Sequence, residues 1–181
     1  MLLGGRMWVV HIAGGVFGGA LMAAAVWLLV TPFRTLLPSI ALLAFLAPFA
    51  LAAALSDLGH VELPRQQRQV PQSWYGRHGP IGSYVRYGLG LGAGLATNVT
   101  YAAEYTVFLG AGLLLPIASA VIVGALFGLG RTILVGPLAC SNRTANRWDS
   151  FFNQAGPIAL RGLSAFTSVA LAAVACHMLL F

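Results

Sequence analysis

The chain carries its most reactive side chains where its surroundings are least polar. Thr97, Asn98, Tyr101, Glu104 and Tyr105 interrupt a long apolar stretch. Their spacings of three and four residues place much of this set on one helical face. Together they offer hydroxyl, amide and carboxyl groups, a lining that suits a polar solute or an ion. Glu104 is the one acidic residue within an apolar stretch. An ionisable group at membrane depth is costly, so it marks a functional site by default. The natural cation for it is Arg131, in the following apolar stretch. On a straight-helix reading the two differ in depth by roughly 15 Å. A direct bridge therefore requires the segment bearing Glu104 to be broken or strongly tilted. The competing reading puts Glu104 near the outer interface, where it simply reaches water.

No other constellation matches a standard enzyme. His11, His60, His78 and His177 are far apart in sequence and form no H-E-x-x-H pattern. His60 and His78 share a polar stretch with Asp57 and Glu62, which leaves a loop metal site open as an alternative. There is no G-x-S-x-G element or phosphate loop. The glycine run at 88–94 lacks the strand and helix of a dinucleotide fingerprint. Cys140 and Cys176 show no metal-type spacing and read as small apolar residues on opposite sides of the membrane. These readings assign no catalytic residue, no metal and no cofactor, and they favour a role other than catalysis.

The elements that must position these groups are membrane helices. Apolar residues make up 59% of the 181 and charged residues only 8%. A soluble domain has about 25% charged residues, and this chain could not cover its surface in water. All ten basic residues are arginines, giving a net charge of +6. They are scattered, mainly in the connections, where positive charge sets topology. No basic run interleaved with aromatics suggests nucleic acid.

The whole chain reads as one all-α, polytopic membrane domain. Spans are expected over 7–30, 38–55, 83–115, 116–138 and 157–180, with a short connection at 31–37 containing Pro32 and Arg34. Residues 56–82 form the substantial polar loop, expected on the cytoplasmic side, and 141–153 form a second. That gives five spans, or six if the third hides a re-entrant turn. The third, at about 33 residues, would measure about 50 Å as a straight helix against a hydrocarbon core of about 30 Å. It must tilt, protrude or break. The arginine distribution puts the N-terminus in the cytoplasm and the C-terminus outside, in the cell membrane. Arg86 and Arg161, near span ends, are expected to snorkel toward the cytoplasmic interface.

Glycine is the remaining signal. Gly14, Gly15, Gly18 and Gly19 lie in the first span, Gly88, Gly90, Gly92 and Gly94 in the third, and Gly124, Gly128 and Gly130 in the fourth. Each set contains Gly-x-x-x-Gly spacing, which lets helix backbones approach closely. This suits packing within the chain, or docking of a second copy or a partner membrane subunit. Four glycines at every second residue exceed what packing alone needs, and each costs about 1 kcal/mol of helix stability. They also suit a discontinuous helix lining a path.

The stretch YGLGLGAGLATN from Tyr87 to Asn98, followed by GALFGLGR from Gly124 to Arg131, resembles the membrane segments of DsbD/CcdA-type proteins. The likeness covers 82–136. It implies a glycine-rich helix leading into a break, in a family that passes reducing equivalents across the membrane between thiols. That family places a reactive cysteine where this chain has Thr97 and Asn98, and thiol exchange needs a thiolate pair. The resemblance therefore implies the scaffold and transfers no redox residue. Two functions are expected on these grounds. One is a transporter-like or carrier-like protein whose third span presents Thr97, Asn98, Tyr101, Glu104 and Tyr105, with Arg131 opposite. The other is a non-catalytic subunit of a larger membrane complex.

Overall fold

The computed structural model describes residues 2–62, 79–94, 102–133 and 156–180. Six helices lie among them: α1 Leu2–Leu36, α2 Ser39–Asp57, α3 Gly79–Ala93, α4 Ala103–Leu114, α5 Ile117–Ile133 and α6 Gly156–Leu180. Every regular element among the described residues is thus a helix. Three helices are long and apolar enough to cross a membrane, over Met7–Leu36, Ser39–Asp57 and Arg161–Leu179. The apolar helices α4 and α5 are shorter.

α1 corrects the expected connection at 31–37. It runs through Pro32 to Leu36, and only Leu37 and Pro38 separate it from α2. Proline removes one backbone donor from the helical ladder. The hydroxyls on either side bond the helix backbone locally: Thr31 Oγ1 donates to the Trp27 carbonyl at 2.7 Å and Thr35 Oγ1 to the Pro32 carbonyl at 2.9 Å.

Both limits of the expected 56–82 loop also move. Ser56 and Asp57 are the last, buried residues of α2, and Gly79–Gly82 belong to α3. Most of the remainder, with His78, lies outside the described residues. The third apolar stretch is two helices. α3 stops at Ala93, Gly94 follows with φ +69°, and α4 begins at Ala103. A positive φ suits glycine because it has no Cβ.

The glycines decide how α1 is packed. Gly14 and Gly18 face α3, and Gly15 and Gly19 face α5. A Cβ on Gly14 would lie 2.8 Å from the Val85 carbonyl oxygen, and one on Gly19 would run into the carbonyl oxygen of Gly124. The contact is reciprocal, since a Cβ on Gly92 or Gly128 would run into the Gly15 carbonyl oxygen. α1 therefore carries two adjacent small-residue stripes, one per neighbour. In hydrocarbon, where apolar burial gives little driving force, such close backbone approach supplies dispersion contact instead. These glycines serve packing within the chain.

α4 sits between the two halves of the bundle. It touches α1, α2, α5 and α6, while α1 and α2 hardly touch each other. Leu113 of α4 packs with Val30 of α1 and Leu42 of α2. On the far side, Leu43 and Ala47 of α2 pack with Ala175 of α6. The pairings fix directions. Asp57 meets Ala102 and Leu42 meets Leu113, so α2 and α4 are antiparallel. Asp57 also meets Ser164, which makes α6 antiparallel to α2. α5 opposes α1 in the same way.

Candidate functional site

The site is built where α3 stops and α4 starts. Glu104 lies in the first turn of α4 and Arg131 in the last turn of α5. Arg131 Nη1 donates to Glu104 Oε2 at 2.6 Å, with both side chains largely buried at 20% and 14% exposure. The condition set by the sequence is met through the interruption of the third stretch. α4 and α5 form an antiparallel hairpin about Leu115 and Pro116, and both charged residues lie at its open end. Gly94 closes the other side. A Cβ there would lie 3.6 Å from Glu104 Oε2 and 3.7 Å from Arg131 Nη1. The Arg131 guanidinium also stands 5.6 Å above the centre of the Phe127 ring, which packs edge-on against Phe108 at 4.9 Å. An arginine close to an aromatic face gains a cation–π attraction.

Of the other residues expected at the site, Thr97, Asn98 and Tyr101 lie outside the described residues. Tyr105 is 37% exposed, so it lies off the buried face on which Glu104 meets Arg131. The interruption is thus flanked by Gly94 and Glu104, with Arg131 facing it from α5.

A second carboxylate, which the sequence placed in the polar loop, supports this start of α4. Asp57 is only 2% exposed. Its Oδ1 accepts the Ala102 amide at 2.7 Å, and its Oδ2 accepts the Ala103 amide at 3.2 Å and the Ser164 hydroxyl at 2.5 Å. The first turn of a helix has amides without helical partners and a partial positive charge. Asp57 caps it from a different helix. One turn further along, the Thr106 and Ser168 hydroxyls are 3.3 Å apart and both are fully buried. Ser164 and Ser168, one turn apart on α6, thus form a polar seam against α4.

The opposite end of α4 is closed by α1. Arg34 Nη1 donates to the carbonyls of Gly112 at 3.0 Å and Leu115 at 2.7 Å, and Trp27 Nε1 donates to Leu115 at 3.1 Å. A signal for Asp57 does exist in the sequence. A carboxylate ending an apolar helix opposes that helix's own dipole, so its placement calls for another partner.

Asp57 also bears on the alternative loop metal site. It is bound to α4, whereas His60 and Glu62 are exposed. Among the described residues, no three His, Cys, Asp or Glu side chains are grouped to hold a metal. His11 is 2% exposed and stacks on Tyr87 at 5.1 Å between ring centres. The Tyr84 backbone lies within hydrogen-bonding reach of its ring, while the Trp8 indole nitrogen is buried without a hydrogen-bond partner. Cys176 is a free, exposed thiol on α6.

Compared with protein-family models, curated proteins and solved structures, the chain matches none. The functional reading therefore rests on the geometry of this chain alone.

Proposed function

We propose that this chain is a small multi-pass carrier of the cell membrane, with its polar site at the interruption between α3 and α4. The observation that carries the reading is the Glu104–Arg131 pair at 2.6 Å beside Gly94. Charged residues at membrane depth pair with each other and mark ion or substrate pathways. Discontinuous helices that expose backbone ends near the midplane are a recurrent way to build such sites. Thr97, Asn98 and Tyr101 belong to the segment joining the two helices and complete the proposed lining. In this reading five segments cross the bilayer, α3 and α4 together forming the third. The N-terminus is cytoplasmic and the C-terminus outside, with the arginine-bearing connections on the cytoplasmic face.

The paired charges define what the site does. A bound solute or proton competes with Arg131 for the Glu104 carboxylate, and release restores the pair. Binding and pair-breaking are thereby linked, which gives the two states that alternating access needs.

The test is flux into proteoliposomes holding the full chain. Proton movement is followed with an enclosed pH dye, and panels of small carboxylates, amines and inorganic ions are screened by electrical recording on supported membranes. The wild type should carry at least one of these. Glu104→Gln should abolish that flux while Tyr105→Phe retains most of it. A wild type that moves nothing, yet co-purifies with a stoichiometric membrane partner, overturns the carrier reading in favour of a non-catalytic subunit.

A further inference from the structure

One feature of the third span is not used by the proposed site. Gly88 and Gly92 pack against α1, and Gly94 ends α3 beside Glu104. Gly90, half-exposed, points elsewhere. It lines an open groove of about 490 Å³ between α1 and α3. Gly18 and Ala25 on α1, and Gly90 and Ala93 on α3, lack the bulk to fill the space, while Leu21 and Leu89 flank them. The small residues fall seven apart on α1 and three apart on α3, so each helix presents them along one side. The groove's volume lies within the range of sites that enclose a small ligand. Its lining is apolar except at one place.

That place is Arg86, the single charged residue of the lining. It lies at the end of the groove nearer the start of α3. The other end lies where α3 stops, at Ala93, with Ala25 on the α1 side. The result is a long apolar trough with one cationic end, complementary to an amphiphile with one anionic end. A guanidinium has five donors and can serve more than one partner at once. Its long stem lets it lie along the trough while the head reaches toward the interface.

We infer that the α1–α3 groove binds an anionic glycerophospholipid, with one acyl chain in the trough and its phosphate on Arg86. The site does not depend on transport. It gives the fourth glycine a role, because a large side chain at Gly90 would occupy part of the trough. It also gives the short helix α3 a fixed neighbour in the membrane.

The full chain, purified and delipidated in detergent, is titrated with phosphatidylglycerol and separately with phosphatidylcholine bearing the same chains. Bound lipid is counted by native mass spectrometry. The wild type should prefer phosphatidylglycerol about fivefold, the ratio that roughly one cation at an anionic membrane surface supplies. Arg86→Gln should bring the two lipids to near parity. Gly90→Leu should weaken both, and Met22→Trp should do the same from the α1 side if Gly90→Leu folds poorly. Equal binding of the two lipids by the wild type overturns the inference. So does an unchanged preference in Arg86→Gln, or full binding by a folded, trough-filled variant.

Discussion

Arg34 and Asp57 hold opposite ends of the same helix, and neither belongs to it. Asp57 accepts the Ala102 and Ala103 amides at the start of α4, and Arg34 donates to the Gly112 and Leu115 carbonyls at its end. α4 has only 12 residues, about 18 Å of helix, so its unpaired terminal groups are a large fraction of its backbone. Water would satisfy them at a surface. Inside a membrane protein, each must find a partner from the chain. An anion at the amide end and a cation at the carbonyl end also oppose the helix dipole favourably. The site residue Glu104 directly follows the Ala103 amide that Asp57 holds, so the cap fixes where Glu104 can point.

Removing that cap should loosen the whole centre of the bundle. Asp57→Ala leaves two buried amides and the Ser164 hydroxyl without their acceptor. At about 1–3 kcal/mol for each buried group left unsatisfied, it should lower the thermal midpoint in detergent sharply. Asp57→Asn keeps one acceptor oxygen and should cost about half as much. Equal midpoints for wild type and Asp57→Ala would show that the cap contributes nothing.

The Glu104–Arg131 pair should behave as a coupled unit. Either Glu104→Gln or Arg131→Gln alone strands a largely buried charge, a loss of about 3–5 kcal/mol when the pair is fully buried and less at this exposure. The double variant removes both charges and should be less destabilised than the two losses added together. A coupling of about 1–3 kcal/mol in the double-mutant cycle is expected for residues in direct contact. Strict additivity in reversible unfolding would mean that the two side chains do not interact in the membrane.

Glycine substitutions should split by position. Gly19→Ala drives a methyl into the Gly124 carbonyl and should destabilise the α1–α5 contact. Gly130 and Gly162 have nothing within 4 Å of an added Cβ. There alanine should stabilise the helix, by up to about 1 kcal/mol from propensity. Parallel thermal melts of the three variants check this, and a stabilised Gly19→Ala would contradict the packing of α1 on α5.

His11→Phe should leave the fold intact or slightly more stable. The imidazole is buried, its ring stacks on Tyr87, and the Tyr84 backbone lies within hydrogen-bonding reach of it. Phenylalanine keeps the stacking and removes two buried polar atoms at the cost of at most one contact to the Tyr84 backbone, so the change should be close to neutral. A drop in the thermal midpoint of several degrees would reveal a polar partner for His11.

The amino-acid sequence by itself determined that the chain is helical and built for a membrane, because composition and the length of apolar runs are local quantities. It also determined that the third stretch was too long and too glycine-rich to be one straight span, and it paired Glu104 with Arg131 on condition of a break or a strong tilt. What only the tertiary structure decided is which helix each polar group serves. Asp57 sits next to polar residues in the chain and reads as loop, yet it is buried against an amide pair 45 residues away. Arg34 follows a proline and reads as a connection, yet it closes a helix end 78 to 81 residues further on. The same holds for the glycines. Their spacing announces close contact, but Gly14 and Gly15 are adjacent in sequence and face different helices. The physical reason is common to all three. A membrane interior gives an unpaired polar group no water, so its partner comes from whichever element packing brings near, and sequence neighbours do not report that.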